Sequence, residues 1–471
     1  MHARSTLLVA VAVSACAGQA PLASKEPVRN PHASQAFAVA APTPTQTAPE
    51  ATPPEPAPDT LLSWAQAHLP QGGKAARNAD GALVVTHEVG PKDSGYTIAK
   101  AYLPLTETYL AADLGKTLGN PKPGSTITIP NLITKAPNPD ADRLPWPEDK
   151  AMRGIFLTGP DATVRWEDTL RHLQERGMNA IILDGKEYMG DVTYPSKVKV
   201  AIDTGATKNA PIADLSRTIR FAHKYGVRVS VRVACFHDPW TAEKAPDLSV
   251  RGSWGGPYPI GWLDPAGDLS QQYIEDLVKE VLDLGADEIN LDYVRYPVQN
   301  GLGNAEFHLK DHNRNQKDVI TAFAHRIHAI TLARHVPLSL DIFGVTTQDY
   351  QPDIDNLGQE IERLAPEAEA LMPMVYPSHY GHGYMGWAEP GSHPEIVGIG
   401  TKQATAKLAR AHVTTSVIRP WLQAFMWNSP GYGPKYLAQE AVEADKAGGT
   451  GWIMWNPGGS YSDAWAAIPK K

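Results

Sequence analysis

From Arg153 onward, short apolar runs alternate with longer stretches in which apolar residues return every three or four positions. The runs Gly154–Thr158, Ala180–Asp184, Arg228–Phe236, Glu288–Val294, Leu338–Phe343, Leu371–Tyr376, Ile418–Phe425 and Gly451–Trp455 predict eight strands. Trp166–Arg176, Ile212–Tyr225, Leu269–Leu284, Lys317–His335, Asn356–Leu364, Thr401–Ala411 and Tyr436–Ala447 predict helices between them. Gly177, Gly226, Gly285 and Gly448 follow helices as left-handed caps, a conformation that glycine adopts without steric cost. Regular alternation predicts an α/β fold with a parallel sheet, and eight units predict closure into a (β/α)8 TIM barrel. No Gly-x-Gly-x-x-Gly follows the first strand, so a dinucleotide-binding open sheet loses its main support.

Inside the strands the polar residues keep one phase. Asp184 and Lys186 share a face of the second strand, Ser230 and Arg232 of the third, Asn290 and Asp292 of the fourth, Ser339 and Asp341 of the fifth. Their alternate neighbours, such as Leu183, Val231, Leu291 and Leu340, are apolar and suit the helix layer. Polar groups aimed into a barrel cost stability unless they pair or perform chemistry. Three long connections, Glu187 to Pro211, His237 to Asp268 and Pro377 to Gly400, follow strands on the face where barrels build their sites. They carry Tyr188, Trp240, Trp254, Tyr258, Trp262, Tyr380, Tyr384 and Trp387, flat faces suited to sugar rings.

Two carboxyl groups flanking a scissile bond, one protonated and one ionised, are what glycoside hydrolysis requires. Asp292 and Asp341 end neighbouring strands and are the expected catalytic pair, with Lys186 or Arg232 beside them to hold one carboxylate ionised. Expected substrate-binding residues are Asp184, Lys186, Arg232, Asn290, Tyr293, Arg295, Tyr376, His379, Gln423, Trp427, Trp455 and Asn456. His379-Tyr380-Gly381-His382 looks like a metal pair but lies in a glycine-rich loop without a helix to set ligand geometry, so no metal and no cofactor is expected. A Gly-x-Ser-x-Gly elbow is missing, and Cys235 reads as a buried strand thiol.

The chain before the barrel, residues 1–149 of 471, remains to be accounted for. Its start has a basic residue, Arg4, an apolar run from Leu7 to Val13, and small residues before Cys16, the layout of a secretory signal over residues 1–15. Val13-Ser14-Ala15-Cys16 resembles a bacterial lipobox, which implies lipidation of Cys16 and an exported lipoprotein anchored to a membrane, at the outer membrane or cell surface. Residues 16–60 are rich in Pro, Ala and Thr and predict a disordered tether. Residues 61–145 predict a small α+β unit in βααβ order, closed by Lys122-Pro123-Gly124 and a short strand ending at Pro130. That order resembles a LysM domain, a module that binds N-acetylglucosamine-containing glycans, and implies contact with peptidoglycan. The stretch Gly90 to Tyr96 departs from the usual Gly-Asp-Thr-Leu. A net charge of -8, without any basic run, argues against a nucleic-acid partner.

Five stretches carry a second resemblance: Arg153 to Leu157, Asn179 to Lys186, Asp287 to Pro297, Leu340 to Gly344 and Met372 to Tyr380. Together they resemble a family of bacterial glycoside hydrolases, a branch of the α-amylase-like (β/α)8 barrels, over about Met152 to Trp465 within a barrel taken as residues 150–468. The resemblance implies a nucleophile at Asp292 and a proton donor at Asp341, acting on a polysaccharide or oligosaccharide. Amylases usually have a Glu donor and an Arg two residues before the nucleophile, where this chain has Asp341 and Asn290, so amylase specificity does not carry over. The competing expectation is a non-catalytic glycan-binding surface lipoprotein that keeps the barrel and its aromatic cleft.

Overall fold

The structure, a computed structural model, describes residues 59–308 and 314–471. The expected signal peptide, Cys16 and nearly all of the expected tether lie outside the described residues. No helix among the described residues is long and apolar enough to cross a membrane.

The small unit comprises α1 (Thr60–Ala67), β1 (Gly73–Arg77), β2 (Leu83–Glu88), α2 (Gly95–Tyr102), α3 (Ala111–Leu118) and β3 (Thr126–Thr128). Its strands form an antiparallel sheet in the order β1-β2-β3, and Val85, Ile98, Tyr102, Leu105 and Ile129 fill its core. The βααβ order is present, preceded by α1 and β1. Strand β1 reads Gly-Lys-Ala-Ala-Arg and is nowhere fully buried, so it shows no apolar alternation to detect. Ser94 and Thr97 cap α2 reciprocally. The turn before it is held by Asp93, which accepts the Gly90 N–H at 2.6 Å and pairs with His87 Nε2 at 3.0 Å.

The barrel strands are β4 (Met152–Leu157), β5 (Ala180–Lys186), β6 (Arg228–Ala234), β7 (Glu288–Asp292), β8 (Leu338–Phe343), β9 (Ala370–Met374), β10 (Val417–Ile418), β11 (Trp421–Gln423) and β12 (Gly451–Trp455). All pair in parallel, in the order β10-β9-β8-β7-β6-β5-β4-β12-β11. The first and last of these are halves of one stretch, interrupted at Arg419-Pro420. Arg419 N–H donates to Leu371 O of β9 at 3.0 Å, while Ile453 N–H of β12 donates to Pro420 O at 3.1 Å, so this stretch joins the two ends and the sheet curls into a TIM-like barrel.

Helices α4 (Trp166–Glu175), α5 (Leu215–His223), α6 (Asp268–Asp283), α7 (Gln316–Leu332), α8 (Glu395–Arg410) and α9 (Pro434–Lys446) surround it. Their apolar faces pack against Leu183, Val231, Leu291, Leu340 and the other outward strand residues in one continuous core. The single helix expected over Asn356–Leu364 is instead two short helices, Gln351–Leu357 and Ile361–Leu364, because Gly358 takes the left-handed conformation at φ 75° and ends the first.

Contacts of Tyr109, Arg217 and Lys224 join the small unit to the barrel, Lys224 Nζ pairing with the Glu107 carboxylate and donating to the Glu107 carbonyl at 3.0 Å. Tyr109 is buried in the barrel's main core, and its hydroxyl donates to Ala162 O. Arg217 of α5 donates to the carbonyls of Leu103, Thr108 and Tyr109. The chain then runs beneath the barrel, where Leu144 N–H donates to Asp287 at 2.8 Å and Trp146 Nε1 to Glu288 Oε2 at 3.1 Å. Glu288 and Arg419 form a wholly buried ion pair at 2.9 Å, which Ser230, Ser339 and Trp146 complete as the barrel floor.

Candidate active site

Strand register sets the site. Asp184 lies opposite Arg232, Arg232 opposite Asn290, and Asn290 opposite Ser339, so the phase shared by four strands becomes one inward layer. Within it Arg232 is a two-sided clamp. Its Nη1 donates to Asp184 Oδ1, while Nη2 and Nε donate to Asp292 Oδ2 at 2.6 and 3.1 Å. Asp292 Oδ1 accepts the backbone N–H of Tyr293 at 2.6 Å. Tyr293 holds φ at 50°, a conformation that costs free energy for a non-glycine residue and turns the chain sharply where the strand ends.

Asp341 is in a different environment. Its Oδ1 accepts Asn290 Nδ2 at 3.0 Å and Trp421 Nε1 at 2.8 Å, and Oδ2 has no partner among the described residues and is sealed from solvent. Burial, followed by the charge on Asp292, pushes the Asp341 carboxyl well above the usual carboxylate range. Burial also raises Asp184 to about 6 against the pull of Arg232. The site thus pairs one carboxyl group fixed by a guanidinium with one whose neutral form burial favours.

Aromatic residues line both sides. Tyr376, at the end of β9, stacks on Trp455 with centroids 5.3 Å apart, and its phenol is raised by burial and then by Asp341 and Asp292. Phe425 meets Tyr376 and Trp455 edge-on, and His379 lies 5.2 Å from both Tyr376 and Trp427. Opposite, Tyr188, His237, Trp262 and Tyr293 form a second group, with Arg295 against Trp262 and Tyr293. His379 Nδ1 meets Ser378 Oγ at 3.1 Å, and no group of three metal-ligating side chains occurs among the described residues.

Three of the expected substrate-binding residues have their polar groups committed elsewhere, and a fourth, Asn290, is sealed beneath Asp341 and positions it. Strand β5 bulges at Gly185, where two residues of β5 match one step of β6, and this turns Lys186 out of the site. Lys186 Nζ donates to Ala234 O at 2.7 Å and pairs with Asp238 at 3.0 Å, both side chains fully enclosed. Gln423 is fully buried, and its amide holds Ser378 N–H, Ser429 and the Phe425 carbonyl, so it braces two loops. Asn456 donates its amide N–H to Ala424 O on the neighbouring strand's end and accepts Gly458 N–H within its own turn.

Sequence reasoning missed Glu187, Trp421, Glu288 and Arg419. Glu187 follows the bulge, half-buried, and burial and then the neighbouring Asp184 raise it to about 7. Arg419, Trp421 and Gln423 alternate along one strand and Glu288 precedes Asn290 in phase, so a period-two signal for these was present.

Comparison with known proteins places this geometry in a family. The family model described as "Putative glycosyl hydrolase domain" matches residues 154–461. No curated protein matches the chain. Among solved structures, a hypothetical protein from Ruminiclostridium thermocellum is 27% identical, with 40% of this chain and 96% of that one covered and a TM-score of 0.34. The PgaB (BpsB) glycoside hydrolase domain from Bordetella bronchiseptica is 11% identical, covering 68% and 99%, with a TM-score of 0.46. Alpha-L-fucosidase isoenzyme 2 from Paenibacillus thiaminolyticus is 17% identical, covering 68% and 48%, with a TM-score of 0.45. Since the matched segment is well over half of the chain and contains every barrel strand but the first two residues of β4, the chain belongs to this glycosyl hydrolase family.

Proposed function

We propose that the barrel hydrolyses O-glycosidic bonds of an extracellular or cell-envelope polysaccharide, with Asp292 as nucleophile or as base for water and Asp341 as proton donor. The observation that carries this reading is the contrast between the two carboxyl groups at the ends of β7 and β8. Asp292 is bound twice by Arg232, and Asp341 is buried with one oxygen unpartnered. Unlike environments for paired carboxyls are what acid–base division of labour needs. Asp341 Oδ1 already accepts two N–H donors, so the proton of its neutral form belongs on Oδ2, which is sealed, and delivery to a leaving oxygen requires the packing around it to open as sugar enters. Tyr376, Trp455, His379 and Trp427 supply stacking faces on one side of the pair. A screen of cell-envelope polysaccharides with reducing-end detection tests this reading. New reducing ends from at least one glycan are expected, and binding of sugars with no turnover of any would favour a non-catalytic glycan-binding role.

The same reading extends to the N-terminal part. The αββααβ unit serves as a LysM-like glycan contact, and Cys16 carries a lipid anchor that places the enzyme at the outer membrane or cell surface. Mass spectrometry of the exported protein tests the anchor. Lipid on the wild type and none on Cys16→Ser is expected, and lipid retained on the variant would contradict it.

A further inference from the structure

Arg295 stands apart from the other guanidiniums inside the barrel. Arg232 meets two carboxylates and Arg419 meets Glu288, but Arg295 forms no ion pair among the described residues. It is 6% exposed, and its one hydrogen bond among the described residues runs from Nη1 to the Tyr296 carbonyl at 2.9 Å. Aromatic rings hold it in place: its guanidinium carbon lies 4.1 Å from the Phe343 centroid, 4.9 Å from Trp262 and 5.2 Å from Tyr293. Such stacking compensates part of the cost of burying the cation and fixes its plane.

Nε and Nη2 are the informative atoms. Neither makes a hydrogen bond among the described residues, yet neither belongs to the fully enclosed unpartnered atoms, which include Arg419 Nε and Nη2. What little of Arg295 is exposed therefore includes its free N–H edge. That edge belongs to a residue three positions after Asp292, within the aromatic group that also contains Tyr293 and Tyr188. Asp292 forms no ion pair with Arg295, its Oδ2 being held by Arg232 and its Oδ1 by the Tyr293 N–H.

We infer that Arg295 is a carboxylate-binding subsite, and that the sugar seated next to Asp292 is a uronic acid or another acidic sugar with a free carboxylate. The inference rests on the glycosidase reading for its location, since it places the bound sugar at the catalytic pair. A planar guanidinium with two adjacent free donors matches a carboxylate in the bidentate mode, and hydrogen bonds to a charged group are stronger than neutral ones. The flanking rings of Tyr293 and Tyr188 give the sugar a stacking face.

The test compares acid with ester. Binding to the full chain is measured by calorimetry with oligosaccharides containing glucuronate or galacturonate, and with the same oligosaccharides as methyl esters, for wild type, Arg295→Gln and Arg295→Lys. Wild type should prefer a free acid over its ester by about tenfold or more. Arg295→Gln should lose the preference, and Arg295→Lys should keep part of it because the charge remains. A structural role alone would weaken acid and ester equally. Should the variants fail to fold, the wild-type comparison decides alone. Equal binding of acid and ester, or binding of neutral glycans with no acid bound, overturns the inference. Turnover of neutral glycans alone would overturn it and leave the hydrolase standing, whereas Arg295-dependent binding of acids without any turnover would sink the hydrolase reading and leave this one.

Discussion

Glu187 is a carboxyl whose surroundings move its protonation toward neutral pH. Burial and Asp184 raise it to about 7, from an ordinary value of 4.5, so the folded protein holds a proton that the unfolded chain releases. With more protons bound in the folded state, wild-type stability falls as pH rises from 4.5 through about 7. Glu187→Gln lacks that titration. Thermal melts of the two should coincide near pH ~4 and separate with the variant the more stable, by roughly 1–3 kcal/mol, near pH ~8. A constant difference across that window would contradict the raised value. Asp184, Arg232, Asp292 and Asp341 were legible because strand alternation puts polar residues in phase across four neighbours. Lys186 and Glu187 were not, because one extra backbone residue at Gly185 reverses the phase and composition gives no sign of it.

At the scale of elements, the bulge in β5 decides which side chains enter the site. A Cβ on Gly185 would lie 2.5 Å from Val231 Cγ1, so Gly185→Ala must displace β6 or flatten the bulge. A loss of about 1–3 kcal/mol in denaturant unfolding is expected from this overpacking. Catalytic rate should fall as well, because the shift moves Arg232, one residue along β6 from Val231. Unchanged activity in a destabilised Gly185→Ala would show that the bulge serves packing alone. Strands β8 and β12 matched their expected bounds because their ends coincide with changes in apolar pattern. Strand β1 was illegible, since a short polar edge strand is defined by backbone pairing with β2 rather than by buried side chains. The split of the expected Asn356–Leu364 helix follows from Gly358, which packs against the Gln316 carbonyl and Ile320.

At the scale of the whole molecule, closure of the sheet was readable from eight repeating units, but the attachment of the small unit was not. Its contacts include backbone carbonyls accepting from Arg217 and Lys224, an ion pair of Lys224 with Glu107, and one aromatic ring, Tyr109, and none of these leaves a periodic trace. Removal of the chain through Leu132 should leave hydrolysis of soluble oligosaccharides intact, because the carboxyl groups, Arg232 and both aromatic walls belong to the barrel. Its melting temperature should drop, since Tyr109 leaves the barrel core and Arg217 loses its carbonyl partners. A folded truncation without activity would show that the small unit shapes the site. Weaker retention on insoluble glycan would fit the LysM-like reading.

Hydrolysis rates of Asp292→Asn and Asp341→Asn, on the natural glycan and on nitrophenyl glycosides of its sugar, test the division of labour between the two carboxyl groups most directly. Asp292→Asn should lose roughly three or more orders of magnitude on both substrates, because the charge needed for attack is gone. Asp341→Asn should be crippled on the natural glycan and largely spared on the nitrophenyl glycoside, whose leaving group needs little protonation. Wild-type turnover by both variants on a verified substrate would contradict the account.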